Sequence, residues 1–216
     1  MPAEAWPGAD KRRASRSSKG YAVRAPLLRW LREEGELTAR AHGKTLRVLD
    51  VGCGNKPYYP FFAACSREYV GVDVAPGPQV DLVGGVEALP VADASFDLVV
   101  CTQVLEHVDD PRRAVAELRR VTAPGGRVLA STHGVQVYHP SPGDHWRWTR
   151  TGLERLFSEN GAWLSVTVRP GSGTAACLAM LIADYLSLFL GKLRLGALEA
   201  GPIWLLNALT GAADRR

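Results

Sequence analysis

The segment VLDVGCGNKP, residues 48–57, sets an acid, Asp50, near the end of an apolar run and follows it with Gly52-Cys53-Gly54. Paired glycines permit dihedrals closed to other residues and let a ligand lie directly against the backbone. Twenty-three residues after Asp50, a second apolar run, EYVGVDV (68–74), carries Asp73 near its end. An acid there can accept hydrogen bonds from both hydroxyls of an adenosine ribose. A third concentration of chemistry is STHGVQVYHPSPGDHWRWTRTGL (131–153), which gathers His133, Tyr138, His139, Asp144, His145, Trp146, Arg147 and Trp148 among prolines and glycines. Histidines titrate near neutral pH and suit proton transfer, while a polar and aromatic loop suits the holding of an organic molecule. The histidine spacings match no familiar metal motif, so no metal is expected.

These groups need strands and helices to carry them. LRVLDVG (46–52), EYVGVDV, FDLVVCT (96–102) and GRVLAST (126–132) are apolar runs of the length of buried parallel strands, and QVDLVGG (79–85) is a further candidate. Helical patterns fall between them. Asp110 is an N-cap acid and Pro111 the first helical residue, with Ala114, Val115, Leu118 and Val121 on one face before Pro124-Gly125-Gly126. Thr151 and Glu154 read as a capping box for a helix with Leu153, Leu156 and Phe157 facing inward. Pro26 to Leu37 reads as a short amphipathic helix. Strands alternating with helices give an α/β fold, a doubly wound and mostly parallel Rossmann-like sheet with the glycine loop at the carboxyl end of its first strand.

Nicotinamide cofactors use the same geometry, but their fingerprint needs a third glycine three residues after the second. Pro57 stands at that position, which argues against a nicotinamide-dependent oxidoreductase. The motifs VLDVGCG, YVGVDV, EALPVADASFDLVVCTQVLEHVDDP and RRVTAPGGRVLAST, in that order, resemble the class I S-adenosylmethionine-dependent methyltransferases, over residues 46 to 165. Within that class the resemblance is to the broad group that includes small-molecule and quinone methyltransferases.

The resemblance implies S-adenosylmethionine as cofactor, with Asp50, Gly52, Cys53 and Gly54 around its methionine part and Asp73 on the ribose. It puts Val74 against the adenine, Val86, Glu87 and Ala88 on the loop bordering it, and Thr102 and Gln103 beside the sulfonium. Many relatives carry an acid where this chain has Gly85. By the same resemblance the loop after the fifth strand opens beside the transferable methyl group. His133 and His139 are then candidate bases for an oxygen acceptor, with Tyr138, Asp144, His145, Trp146 and Arg147 as substrate contacts. Asp144 and Arg147 could equally pin the loop, and Glu106 and His107 read as braces for theirs. A non-catalytic module that keeps the fold is the reading from another class.

Composition bounds the rest. With 216 residues the chain has room for one full α/β domain. Of its +4 formal charge, residues 1–45 hold a net of +5. The excess thus lies ahead of the domain, and a nucleic-acid surface is disfavoured. Cys53, Cys65, Cys101 and Cys177 form no CxxC pair, consistent with a reducing, cytoplasmic setting. The expected organisation is a disordered basic tail over 1–20, a cofactor-binding methyltransferase domain over 21–170 and a helical extension over 171–216. No signal peptide and no membrane span is expected. AACLAMLIADYLSLFL (175–190) and PIWLLNAL (202–209) read as apolar helices serving as lid or packing, a homodimer interface, or a peripheral membrane seat for a lipid-linked acceptor.

Overall fold

The computed structural model describes residues 6–139 and 142–214, so the final Arg215-Arg216 lie outside the described residues. The chain divides into two compact units, one of residues 6–9, 31–134 and 138–169, the other of 10–30, 135–137 and 170–214.

The first unit is built on a five-stranded, wholly parallel sheet in the order β3-β2-β1-β4-β5. Its strands are β1 (Leu46–Val51), β2 (Ser66–Asp73), β3 (Leu82–Val83), β4 (Phe96–Thr102) and β5 (Thr122–Ser131). The strand order reverses between β1 and β4, so the sheet is doubly wound, as the alternation of apolar runs and helical patterns implies. Ligands in such sheets bind at the carboxyl ends of the strands beside this reversal. Leu49, Val51, Val72, Val99 and Cys101 are buried in one core cluster with Phe96 and Leu118. The expected strand over 79–85 shrinks to two residues, because Gly84 and the turn that follows leave little regular backbone to pair. β5 begins earlier than expected: α3 (Pro111–Val121) leads straight into it, and Pro124-Gly125-Gly126 lie within the strand. They are accommodated by a register shift between Phe96 and Leu98.

Helix α3 forms as its sequence signals. Asp110 Oδ1 accepts from the backbone of Arg112 at 3.0 Å and of Arg113 at 3.2 Å. Ala114, Val115, Leu118 and Val121 are all buried, and the three larger side chains each contribute about 1.5–3 kcal/mol of burial. Helix α4 (Arg150–Glu159) starts two residues earlier than the capping box suggested. Thr149, not Thr151, is the N-cap, its Oγ1 accepting from Gly152 N, while Glu154 pairs with Arg150 at 2.9 Å. A four-residue helix, α2 (Tyr59–Phe62), follows the glycine loop.

Helix α1 runs Tyr21–His42, much longer than the segment expected from Pro26 onward, with 21–30 in the second unit and 31–42 in the first. Pro26 ends most helices because it leaves the carbonyl four residues back without a donor. Here that carbonyl, on Ala22, accepts from Ser172 Oγ at 2.5 Å, so the helix tolerates the proline.

The second unit also contains α5 (Thr174–Lys192) and α6 (Ala200–Ala213). The carboxylate of Asp214 accepts from Ala175 N and Ala176 N, capping α5 from the far end of the chain. Residues 10–20, from the expected basic tail, belong to this unit. Asn207 Nδ2 donates to the carbonyls of Arg16 and Ser18, and Lys19 Nζ lies 3.3 Å from Asp184 Oδ1. Along α5, Met180, Ala183 and Asp184 are buried, whereas Leu178, Tyr185, Leu188 and Phe189 are exposed, as are Trp204, Leu205 and Leu209 on α6. By length and composition α5 could cross a membrane, with a mean hydropathy of 1.7 over 18 residues. This corrects the expectation that no stretch reaches that length, since Asp184 and Ser187 dilute the apolar run without ending it.

Candidate active site

The turn after β1 is set by positive dihedrals at Gly52 (φ 69°) and Gly54 (φ 50°). A Cβ on Gly52 would stand 2.4 Å from Val104 Cγ2, so this position has no room for a side chain. The backbone amides of Gly52 and Cys53 both donate to Val72 O, and Gly54 N donates to Asp73 Oδ2 at 2.8 Å. Asp73 Oδ1 accepts from Ala75 N at 3.2 Å. The carboxylate that ends β2 is therefore held by the glycine loop itself, yet it stays only half-buried. Beside it Val74 is 65% exposed, an apolar surface next to an acid.

Asp50 is buried and accepts from Tyr69 Oη at 2.8 Å. Burial pushes its carboxyl up to about 7, against the pull of the Tyr69 hydrogen bond and the Lys56 charge. Cys53 packs inward, and burial pushes its thiol up to about 12, so it contributes backbone and no nucleophile. Lys56, to which the sequence reading gave no part, adopts a left-handed φ of 50°. Its buried Nζ lies 2.5 Å from Asp81 Oδ2, which also accepts from Gly71 N at 2.6 Å. This ion pair ties the loop after β1 to the segment between β2 and β3. Nothing in the spacing announces it.

Among the residues expected at the adenine border, Val86 is buried in the core cluster and offers a ligand only its backbone. Glu87 Oε1 accepts from Asp110 N at 2.5 Å, bracing the start of α3, and Ala88 N donates to Gly85 O. At the end of β4 Thr102 is buried, and Gln103 takes a positive φ of 56°. Its amides donate to Ser131 O (backbone, 2.8 Å) and Ser131 Oγ (side chain, 3.0 Å). A non-glycine residue held there costs about 1–3 kcal/mol, and such strain gathers at functional sites.

The loop after β5 folds onto the turn that follows β4. Glu106 O accepts from His145 N and Trp146 N, and Trp148 N donates to His133 O. His107 Nδ1 bonds Gly143 O, and Trp146 Nε1 donates to Val108 O at 2.8 Å. Arg147 grips Asp144 with two bonds, of 2.5 and 2.7 Å, and Asp144 Oδ2 also accepts from His139 N at 3.0 Å. The Arg147 guanidinium holds the Asp144 carboxyl well below its ordinary range.

Inside this frame sit Glu106, His133 and His139. Glu106 is fully buried, and burial raises its carboxyl; Oε2 accepts from Thr132 Oγ1 at 2.8 Å. His133 Nε2 lies 3.3 Å from Glu106 Oε1, and burial lowers its imidazole to about 4, so the ring is neutral at pH 7. The His139 ring meets those of His133 and His107 edge-on at 5.5 and 5.1 Å. The two histidines expected as bases are thus neighbours, and Glu106 joins them. Tyr138 is exposed, and His145 Nε2 lies 4.0 Å from Asp109, so these two expected substrate contacts stand on the rim of the loop.

Residues 20–161 match the family described as a methyltransferase domain. This chain belongs to that family. The methyltransferase domain is 33% identical over 122 residues to the demethylmenaquinone methyltransferase of Renibacterium salmoninarum, covering 52% of this chain and 51% of that one. It is also 33% identical over 135 residues to the malonyl-[acyl-carrier protein] O-methyltransferase of Erwinia billingiae, covering 57% and 53%. The chain spans about half the length of these relatives. Among solved structures, the Burkholderia thailandensis 1,6-didemethyltoxoflavin-N1-methyltransferase, with bound 1,6-didemethyltoxoflavin and S-adenosylhomocysteine, shares the fold. Its TM-score is 0.50 at 20% identity, over 60% of this chain and 66% of that one.

Proposed function

We propose that this methyltransferase domain binds S-adenosylmethionine and transfers its methyl group to an oxygen of a small or lipid-linked acceptor. The observation that carries the reading is Asp73, fixed by Gly54 N–H at the carboxyl edge of the sheet, next to a Gly52 turn that admits no side chain. Asp73 would hold the ribose hydroxyls, Val74 would lie on the adenine, and the backbone of 52–54 with Asp50 would surround the methionine part. The cofactor supplies a methyl carbon on a sulfonium, open to in-line displacement by a nucleophile. The chain's own contribution is alignment, together with removal of the acceptor's proton at the Glu106, His133 and His139 cluster. Both His133 and His139 bring imidazole nitrogens to this cluster, and the burial that keeps His133 neutral also makes it a weaker base than an ordinary histidine. Similarity to a demethylmenaquinone methyltransferase and a malonyl-[acyl-carrier protein] O-methyltransferase supports an acceptor of this kind.

The test is calorimetric titration with S-adenosylhomocysteine beside NADH, followed by labelled-methyl transfer into lipid and soluble extracts. Binding of S-adenosylhomocysteine alone is the expected result; a folded protein that binds NADH instead, or neither, sinks the reading.

Asp50 makes this binding depend on pH. Because burial favours its neutral form, folding retains a proton that the unfolded chain has released. That stabilisation is complete below about pH 4 and is lost as pH rises through about 7. A cationic ligand beside Asp50 favours the ionised carboxylate. Affinity for S-adenosylmethionine is therefore expected to rise with pH up to about 7, by up to about tenfold per unit, and then level off. Asp50→Asn should flatten that rise, and an unchanged profile in the variant would assign it to another group.

A further inference from the structure

We propose that Glu106, His133 and His139 form a binding site for one divalent transition-metal ion of the zinc type. One ligand atom from each lies within 4.8 Å of the other two. The three come from separate places: the turn after β4, the residues just after β5, and the loop beyond. Two imidazoles and one carboxylate are a donor set for zinc and its first-row neighbours, whereas magnesium and calcium take mostly oxygen.

Unsatisfied polar atoms point to an ion. Glu106 Oε1 is buried and makes no hydrogen bond, although His133 Nε2 is 3.3 Å away. His139 Nε2 is also buried without a hydrogen bond, with Asp144 Oδ1 at 4.0 Å. Buried polar atoms without partners each cost about 1–3 kcal/mol, and two of them within reach of one point call for a common occupant. The separations agree. Ligands at zinc distances in a tetrahedron stand about 3.3–3.5 Å apart, the Glu106–His133 spacing already, and the widest pair, within 4.8 Å, has to close by up to about 1.4 Å.

The surroundings hold the ligands as a metal site requires. Thr132 Oγ1 fixes the other oxygen of Glu106, and Asp144, clamped by Arg147, fixes the backbone of His139. His107 is excluded as a ligand through Nδ1, which is bonded to Gly143 O. About a third of the His139 side chain is exposed, which opens a path for the ion. Three protein ligands leave a tetrahedral ion one position for water or an acceptor oxygen. With the ion in place the coordinating imidazole nitrogens take no proton, so the general-base role passes to the metal: an acceptor hydroxyl bound there would be acidified and lose its proton directly to solvent. This use of the metal rests on the methyl-transfer reading; the site itself stands on the side-chain geometry.

The experiment is titration of metal-free full-length protein with Co²⁺, read by visible absorption, with Zn²⁺ as competitor. One equivalent of cobalt is expected to give d–d bands that Zn²⁺ displaces. Glu106→Gln and His139→Ala are each expected to weaken binding by at least about tenfold. Glu106→Gln preserves shape and His139 is only half-buried, so both variants should fold, and retained S-adenosylhomocysteine binding at Asp73 would show that they do. No stoichiometric cobalt in the wild type, undiminished binding in both variants, or a sulfur-to-cobalt charge-transfer band placing the ion on a cysteine would each overturn the site. A wild type that binds cobalt but not S-adenosylhomocysteine would instead refute the methyl-transfer reading and leave the site standing.

Discussion

Replacing Asp73 with alanine is expected to weaken S-adenosylhomocysteine binding by at least about 30-fold, the equivalent of about 2 kcal/mol. Hydrogen bonds to a charged group are worth about 1.5–3 kcal/mol each, and this carboxylate is positioned to make two to a ribose. The variant also removes the acceptor of Gly54 N–H, so the loop after β1 loses an anchor. Asp73→Asn separates the two effects, because an amide oxygen can still accept from Gly54 while the charge is gone. Calorimetry on both variants, with thermal melts to verify folding, checks the expectation. Undiminished affinity in Asp73→Ala would remove Asp73 from the cofactor site.

Gly52→Ala carries the second large effect, on the fold itself. Its φ of 69° costs a residue with a Cβ about 1–2 kcal/mol. The added methyl would also sit 2.4 Å from Val104 Cγ2, and overpacking of this kind costs about 1–3 kcal/mol. Together these predict a loss of roughly 2–5 kcal/mol in chemical denaturation. Adding Val104→Ala should remove the steric part and leave the dihedral part, so the double variant is expected to recover some of the loss but not all. A single variant as stable as the wild type would show that the turn can rearrange.

Signals carried by neighbouring residues were legible in the sequence. Asp110 and Pro111 announce the start of α3, and an apolar strand running into Gly52-Cys53-Gly54 announces the turn where a ligand can meet the backbone. The position of Asp73 at the end of β2 was legible because the second strand has a regular length. Features that depend on distant partners were not legible. Pro26 reads as a helix boundary until Ser172, nearly 150 residues away, takes up the stranded carbonyl of Ala22. Thr149 and Thr151 are both capping residues in type, and only the backbone path decides between them. Val86 reads as a border of the adenine pocket, but an apolar side chain preceding Leu89 is drawn into the core. Lys56 and Asp81 meet across two loops. Glu106, beside His107 in sequence, reads as a brace, and its backbone is one. Its carboxylate meets His133 and His139 only because β4 and β5 are adjacent in the sheet.

The pairing of Lys19 with Asp184 bears on how the chain is sorted. At 19 residues α5 is about 28 Å long, close to the hydrocarbon thickness of a bilayer. Asp184 is the eleventh of those residues, near the middle, where an aspartate opposes insertion by about 2.5–3.5 kcal/mol. A segment that composition alone would hand to the insertion machinery thus carries a centrally placed argument for staying out. The lysine that satisfies this carboxylate comes from the stretch ahead of α1, so shortening the chain there would strand the acid. Lys19, ahead of the first helix, thus offsets the cost of burying an acid in the middle of α5.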